Sequence, residues 1–204
     1  MVIKNYQKEL DKIIQNISPD NPKTLLLHSC CAPCSSYVLK YLSDYFKITL
    51  LYFNPNISPK EEYLKRVSEQ QRLINELPVR NKIEFFEGRY EPEEFYNAVK
   101  GHEDDEEGTQ RCFICYEMRL REAAEYAKKL GLDYFTTTLT ISPLKNSGKI
   151  NEIGEKLATE YGVKHLPSDF KKKEGYKQSI ELSREYNLYR QNFCGCVYSK
   201  REER

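Results

Sequence analysis

The seven cysteines of this 204-residue chain fall into three closely spaced sets. The first is a Cys-Cys-x-x-Cys motif, the second Cys-x-x-Cys and the third Cys-x-Cys; the members are Cys30, Cys31, Cys34, Cys112, Cys115, Cys194 and Cys196. Neighbouring thiolates repel one another, so such clusters need a cation or a disulfide to absorb their charge. We therefore expect one metal or redox site that is assembled from three distant segments.

The first two sets together suit an iron–sulfur cluster. Cys112 and Cys115 are three residues apart at the start of a predicted helix, so both side chains lie on one face, where the helix N-terminus favours thiolate. Cys30 and Cys31 are adjacent, which is awkward for two ligands of a single tetrahedral ion and easier if they bind different irons. Four cysteines from these two sets would complete a [4Fe–4S] site.

The third set, Cys194-Gly195-Cys196, has a different chemistry. A disulfide between residues so close in sequence closes a small, strained ring and should be unusually reducible. The intervening glycine permits the backbone bend that this ring needs. The motif therefore predicts a two-electron relay rather than a structural crosslink.

Spacing alone leaves two alternatives open. In the first, Cys112, Cys115 and two cysteines of the first set bind zinc in an RNA-binding protein without catalysis. In the second, Cys31 and Cys34 form a thioredoxin-type redox pair, because they follow a predicted strand and open a predicted helix.

The amino-acid composition does not by itself identify a binding partner. The 32 Lys and Arg residues balance 31 Asp and Glu residues, a net charge of +1, so any nucleic-acid surface must come from local clustering. One candidate is a phosphate-binding rim around the last cysteines, formed by Lys171–Lys173, Arg184, Arg190, Lys200 and Arg201.

The chain is expected to be cytoplasmic and to have no membrane partner. Its first 22 residues are polar, and no apolar stretch approaches the ~20 residues of a membrane span. In a reducing compartment, cysteine sets usually indicate metal binding or catalysis.

Hydrophobic patterning predicts alternating strands and helices. The predicted strands are 24–28, 47–53, 82–87, 134–140 and 163–166, and the predicted helices are 1–19, 35–46, 60–77, 92–100, 111–130, 149–161 and 176–186. This order indicates an α/β fold with a mostly parallel sheet of about five strands and helices on both faces. We expect a single domain over 1–204, with an N-terminal helix within 1–22 and a polar tail over 197–204.

The predicted sheet also places the site. In such folds the loops at the carboxyl ends of the strands form the functional site, and the first cysteine set occupies the first of these loops. Asp169, near the end of another strand, is a candidate proton donor or ligand. No G-x-G-x-x-G or Walker motif follows the first strand, so no dinucleotide fingerprint is present.

Five ordered motifs resemble the QueH family of epoxyqueuosine reductases. They are residues 28–34 (HSCCAPC), 52–57 (YFNPNI), 111–116 (RCFICY) with Arg119, 136–143 (TTTLTISP) and 189–196 (YRQNFCGC). The resemblance runs from about residue 23 to residue 200, and it implies a Rossmann-like α/β fold.

The resemblance implies a cobalamin-independent enzyme that reduces epoxyqueuosine to queuosine at the wobble position of tRNA, with electrons from an unidentified donor. It implies a [4Fe–4S] cluster on Cys30, Cys31, Cys112 and Cys115, and a redox-active pair at Cys194 and Cys196. A second adjacent iron is also implied, for which Cys34 is a candidate ligand. Candidates for contact with the modified base in its single-stranded loop are Asn54, Asn56, Tyr116, Arg119 and Asp169.

Overall fold

The computed structural model describes residues 4–199, which form a five-stranded, all-parallel sheet of order β3-β2-β1-β4-β5. The strands are β1 (Lys23–His28), β2 (Phe46–Tyr52), β3 (Glu84–Glu87), β4 (Tyr134–Thr137) and β5 (Lys164–His165). The predicted α/β class is confirmed. Because β1 is central and its neighbours run parallel, the loops after β1, β2 and β4 meet at one edge of the sheet.

Seven helices within the described residues cover both faces of this sheet. They are α1 (Tyr6–Gln15), α2 (Ala32–Leu42), α3 (Lys60–Glu76), α4 (Pro92–Ala98), α5 (Gln110–Lys129), α6 (Ser147–Tyr161) and α7 (Gly175–Glu185). Successive residues of β1 point to opposite faces: Leu25 and Leu27 pack in a core with α1, α2, α3 and α7, whereas Leu26 packs in a second core with α5 and α6.

Three strands are shorter than predicted, and β3 lacks the first two residues of the predicted 82–87. β4 stops at Thr137 because the Thr137 hydroxyl accepts the N–H of Leu139 and starts a 3₁₀ turn over Thr138–Ile141. β5 keeps only Lys164 and His165 of the predicted 163–166. The apolar run 134–140 therefore belongs partly to a buried turn, whose residues are as hidden from solvent as those of a strand.

The second helix begins earlier than predicted, at Ala32 rather than residue 35. Pro33 occupies its first turn, where a missing backbone N–H costs nothing. Consequently Cys31 is the residue that precedes the helix and Cys34 lies within its first turn.

Among residues 4–199, no helix combines the length and apolar character that crossing a bilayer requires. The predicted polar tail over 197–204 falls mainly outside the described residues, and Val197–Ser199 forms a 3₁₀ turn.

Candidate metal and redox centre

All seven cysteines line two adjoining cavities at the carboxyl edge of the sheet. The larger cavity, of about 210 Å³, is lined by Cys30, Cys31, Cys34 and Cys194, and the smaller by Cys112, Cys115, Cys194 and Cys196. Cys194 and Lys145 line both. The structure thus brings the three distant sets into one region.

The first cysteine set is wrapped around a single point by the turn from β1 into α2. The sulfurs of Cys30, Cys31 and Cys34 all lie within 4.8 Å of one another, and the Cys30 and Cys31 sulfurs are 3.9 Å apart. A tetrahedral metal with sulfur ligands at about 2.3 Å separates those sulfurs by about 3.8 Å. The three sulfurs are therefore as close together as the ligands of a metal site, and the division of Cys30 and Cys31 between different irons stays a prediction.

Hydrogen bonds among these three thiols favour ionisation of one of them, Cys30. Hydrogen bonds from Cys31 and Cys34 lower the pKa of Cys30 well below its usual value. The same interaction raises the pKa of Cys31 to about 12 and raises that of Cys34. The Thr138 hydroxyl, 3.5 Å from the Cys30 sulfur, adds a further polar contact. One thiolate is thus already stabilised where a metal would need it.

The second set opens helix α5. The Gly108 N–H donates to the Cys112 sulfur at 3.2 Å, and Cys115 follows one turn later. Burial raises the pKa of Cys115, which packs with Cys196, Phe95 and Val99 in a small apolar cluster. The third set therefore contacts the second directly.

The two cysteines of the third set have unlike surroundings. The Lys145 ammonium lies 3.4 Å from the Cys194 sulfur. Burial acts to raise the pKa of Cys194, but the charges of Lys145 and Arg119 outweigh it, so this pKa falls. Burial raises the pKa of Cys196 to about 12. Of the two thiols, Cys194 is therefore the more readily ionised.

Two buried arginines flank the cysteines. Arg119 is 1% exposed and donates to the Cys115 carbonyl at 3.3 Å; Arg66 is 2% exposed and donates to the Cys194 carbonyl at 3.1 Å. Each keeps an Nη2 group with no hydrogen-bond partner among the described residues. Arg66 pairs with Glu62, whereas Arg119 has no carboxylate partner among the described residues, and a buried cation of that kind needs an anion nearby. This environment and the cysteine donor set fit a negatively charged thiolate–metal centre.

The candidates for substrate contact separate into two groups. Tyr116 and Arg119 line the smaller cavity. Asn54 and Asn56 are buried outside both cavity walls, and the Asn54 amide donates to the Ser29 carbonyl at 2.8 Å. Asp169 pairs with Lys171 and also lies outside both walls. Base contacts by these residues stay predictions.

The predicted phosphate rim is only partly assembled. Arg190 lines the larger cavity, whereas Lys171 and Lys173 pair with Asp169 and Asp11. Lys200 and Arg201 lie outside the described residues.

Sequence reasoning missed Arg66 and Lys145. Arg66 follows Glu62 by four residues on a charged helix, a pattern typical of a solvated surface. Lys145 comes just after the 136–143 motif, in a loop that follows a strand. That position could have identified it as a candidate site residue, because such loops form the site in this class of fold.

A family model described as epoxyqueuosine reductase QueH matches residues 25–202. The chain belongs to the QueH family. A curated QueH protein from Staphylococcus epidermidis is 44% identical over 200 residues, which cover 96% of this chain and 84% of that protein. One from Streptococcus pyogenes serotype M1 is 42% identical over 198 residues, covering 96% and 78%. One from Thermotoga maritima is 38% identical over 184 residues, covering 89% and 92%. All three cysteine sets lie inside the range matched by the QueH model.

Proposed function

We propose that this protein is an epoxyqueuosine reductase, which removes the epoxide oxygen of epoxyqueuosine at the tRNA wobble position to give queuosine. Each relative named above is called an epoxyqueuosine reductase. The observation that carries the proposal is the convergence of seven cysteines and two buried arginines on adjoining cavities. A tRNA substrate places the reaction in the cytoplasm.

The metal centre we propose is a [4Fe–4S] cluster held by Cys30, Cys31, Cys112 and Cys115. When bound, such a cluster supplies electrons one at a time at a potential that its surroundings tune. A second, adjacent iron would use Cys34, and the close approach of its sulfur to those of Cys30 and Cys31 supports a ligand role. The spare donors of Arg66 and Arg119 offset the negative charge of these thiolates.

The electron requirement fits the third cysteine set. Converting an epoxide to an alkene consumes two electrons and two protons and releases one water. Oxidation of the Cys194 and Cys196 dithiol to a disulfide releases two electrons and two protons, so it balances this reaction, and the unidentified donor then restores the dithiol. The positive charge of Lys145 favours the thiolate form of Cys194, the form that reacts in thiol–disulfide exchange.

The larger cavity suits an extruded base. Its wall includes the aromatic rings of Phe193 and Tyr176 and the guanidinium of Arg190, together with the first cysteine set. A base in a single-stranded anticodon loop can be splayed out and stacked on such rings, with its flanking phosphates beside a cation. The reacting nucleoside would then lie against the sulfurs.

Anaerobic purification followed by iron, sulfide and zinc analysis tests the metal centre. We expect a coloured protein with iron and acid-labile sulfide that reduces epoxyqueuosine in tRNA when given a strong reductant. Cys112→Ala should bleach the protein because it removes a cluster ligand. Cys34→Ser should keep the cluster iron and lose only part of the activity.

The alternatives make opposite predictions. A colourless protein with stoichiometric zinc would favour a zinc-stabilised RNA-binding protein without catalysis. Complete loss of a general thiol–disulfide activity in Cys34→Ser, with no effect of Cys112→Ala, would favour a thioredoxin-like oxidoreductase.

A further inference from the structure

The segment that carries the third cysteine set lies along helix α3. We call residues 189–196 the cysteine strap. Its Tyr189 N–H donates to the Glu69 carboxylate at 2.7 Å, and the Tyr189 hydroxyl donates to Glu62 at 3.0 Å. Farther along the strap, the Cys194 carbonyl accepts from Arg66 at 3.1 Å. The strap is thus attached to α3 along its length.

Arg66 is the contact nearest the cysteines. Its Nε group donates to Glu62 at 2.7 Å, and its Nη1 group donates to the Cys194 carbonyl. The bond to Glu62 therefore fixes the orientation of the guanidinium that binds the strap. The Phe193 ring lies 5.2 Å from the guanidinium carbon. A side chain that is 2% exposed and held at both edges has little freedom to move.

Gly195 shows how closely the strap is pressed on its support. Its φ of +105° is open to glycine, and a Cβ there would lie 2.9 Å from Ile57 Cγ1 and 3.0 Å from Arg66 Nη1. The Gly195 carbonyl also accepts the Ser58 N–H at 2.9 Å. The strap therefore turns between the loop after β2 and the Arg66 guanidinium.

We propose that Arg66 is a positioning residue for the Cys194–Cys196 turn, holding it against the first cysteine set through the Cys194 carbonyl. This inference rests on the proposed function insofar as the pair supplies electrons to the substrate. The contact between Arg66 and the strap does not depend on that function. Arg66 lines the larger cavity together with the first cysteine set and donates to the strap from there. Loss of Arg66 should release the turn and leave the fold intact.

The experiment compares Arg66→Gln with Arg72→Gln in the anaerobically purified, metal-loaded full chain. Arg72→Gln is the control for the start of the strap: Arg72 lies on the same helix and pairs with Glu69, which accepts the Tyr189 N–H, so the substitution loosens residue 189 without removing a bond to the Cys194 carbonyl. Hydrogen–deuterium exchange at the Ser58 amide reports directly on the bond to Gly195. Iron content, kcat and the KM for modified tRNA are measured on the same samples.

We expect Arg66→Gln to speed exchange at Ser58 at least tenfold and to lower kcat at least tenfold, with KM within twofold and iron retained. Arg72→Gln should leave Ser58 exchange unchanged. Unchanged Ser58 exchange in folded Arg66→Gln, or an equal rise in Arg72→Gln, would overturn the proposal. A rise in KM with kcat unchanged would also overturn it, since that pattern marks a substrate contact.

Two further results keep the test decisive. If Arg66→Gln does not fold, Glu62→Gln keeps the arginine but removes its anchor, and should speed Ser58 exchange by a smaller factor; no change there would overturn the proposal. Glu62 also accepts a hydrogen bond from the Tyr189 hydroxyl, so Tyr189→Phe measures how much of the change in Glu62→Gln comes from losing that bond. If the wild-type protein has no reductase activity, the proposed function fails, and Ser58 exchange still decides the role of Arg66.

Discussion

The difference in pKa between Cys194 and Cys196 arises from neighbouring cations, of which Lys145 has the largest effect on Cys194. Lys145 lies on the loop between the 3₁₀ turn and α6, and its ammonium is the charged group 3.4 Å from the Cys194 sulfur. Cys196 packs instead with Cys115 among apolar side chains. In thiol–disulfide exchange the thiolate is the attacking species, so Cys194 is suited to attack and Cys196 to resolve.

Lys145→Gln should raise the pKa of Cys194, because it removes a positive charge that lowers this pKa. Alkylation of Cys194 by iodoacetamide near neutral pH should then slow, by about tenfold for each unit of pKa. Mass spectrometry of the Cys194 peptide across a pH series measures the effect in metal-free protein. Lys149→Gln, on the adjoining helix, is the control, and an equal slowing there would contradict the role of Lys145.

The sequence predicted that the three cysteine sets would meet, but it did not indicate the cations that lie beside them. Three sets of cysteines are conspicuous because thiols rarely cluster without a purpose. Arg66 and Lys145 carry no such mark, since a lysine in a loop and a Glu–Arg pair on a helix occur on most protein surfaces. Their function depends on which segment packs over them, and local spacing does not encode that.

At the scale of elements, β5 and α6 enclose an unusual histidine. The His165 residue as a whole is partly exposed, but both of its ring nitrogens are sealed from solvent without hydrogen-bond partners among the described residues. Helix α6 passes so close that a Cβ on Gly154 would lie 2.4 Å from His165 Nε2. Burial lowers the pKa of His165 to about 3. The ring therefore stays neutral in the folded protein.

This burial should make the free energy of unfolding fall as pH falls from 6.5 towards 3. In that window the unfolded chain binds a proton at His165 and the folded chain does not, a slope of about 1.4 kcal/mol per pH unit. His28, whose pKa burial lowers to about 4, should add a similar slope. His165→Leu should therefore remove about half of the combined slope between pH 6 and 5. Urea unfolding of both proteins measures it, and an unchanged slope would refute this interpretation.

The sequence predicted helices and strands correctly where the hydrophobic periodicity was long. It predicted their ends correctly where a helix-breaking residue was present. Helix α5 and helix α6 follow the predicted ranges closely, and Gly162 ends α6 with a left-handed backbone as expected of a stop residue. The end of β4 was missed because a side-chain bond from Thr137 ends the strand while the apolar pattern continues. The burial of Asn54, whose amide is engaged by the Arg119 guanidinium and the Ser29 carbonyl, was not predicted either, and its contact with the base stays a prediction.

The whole molecule carries almost no net charge, so under the proposed function tRNA must be attracted by local positive groups. Arg190 is exposed and lines the larger cavity. Arg80, in contrast, follows α3 at the opposite edge of the sheet and pairs with Asp20. Replacing Arg190 should therefore weaken a phosphate contact at the cavity, whereas replacing Arg80 should not.

Binding of epoxyqueuosine-containing tRNA should weaken steeply as salt rises from about 50 to about 200 mM, because phosphate contacts release counterions. Arg190→Gln should weaken binding and reduce the slope of log affinity against log salt by about one. Arg80→Gln should leave both unchanged. Fluorescence anisotropy with a labelled anticodon stem-loop gives the values, and affinity indifferent to salt would exclude this docking face.

The order in which the cysteine sets occur along the chain has a consequence for biogenesis. Translation produces residues 30–34 and 112–115 well before residues 194–196, which complete the lining of both cavities. A chain terminated before residue 189 keeps five of the seven cysteines but lacks the strap and the Cys194–Cys196 pair. Under the proposed function, such a product would still carry metal-binding thiols and would have no dithiol to supply electrons.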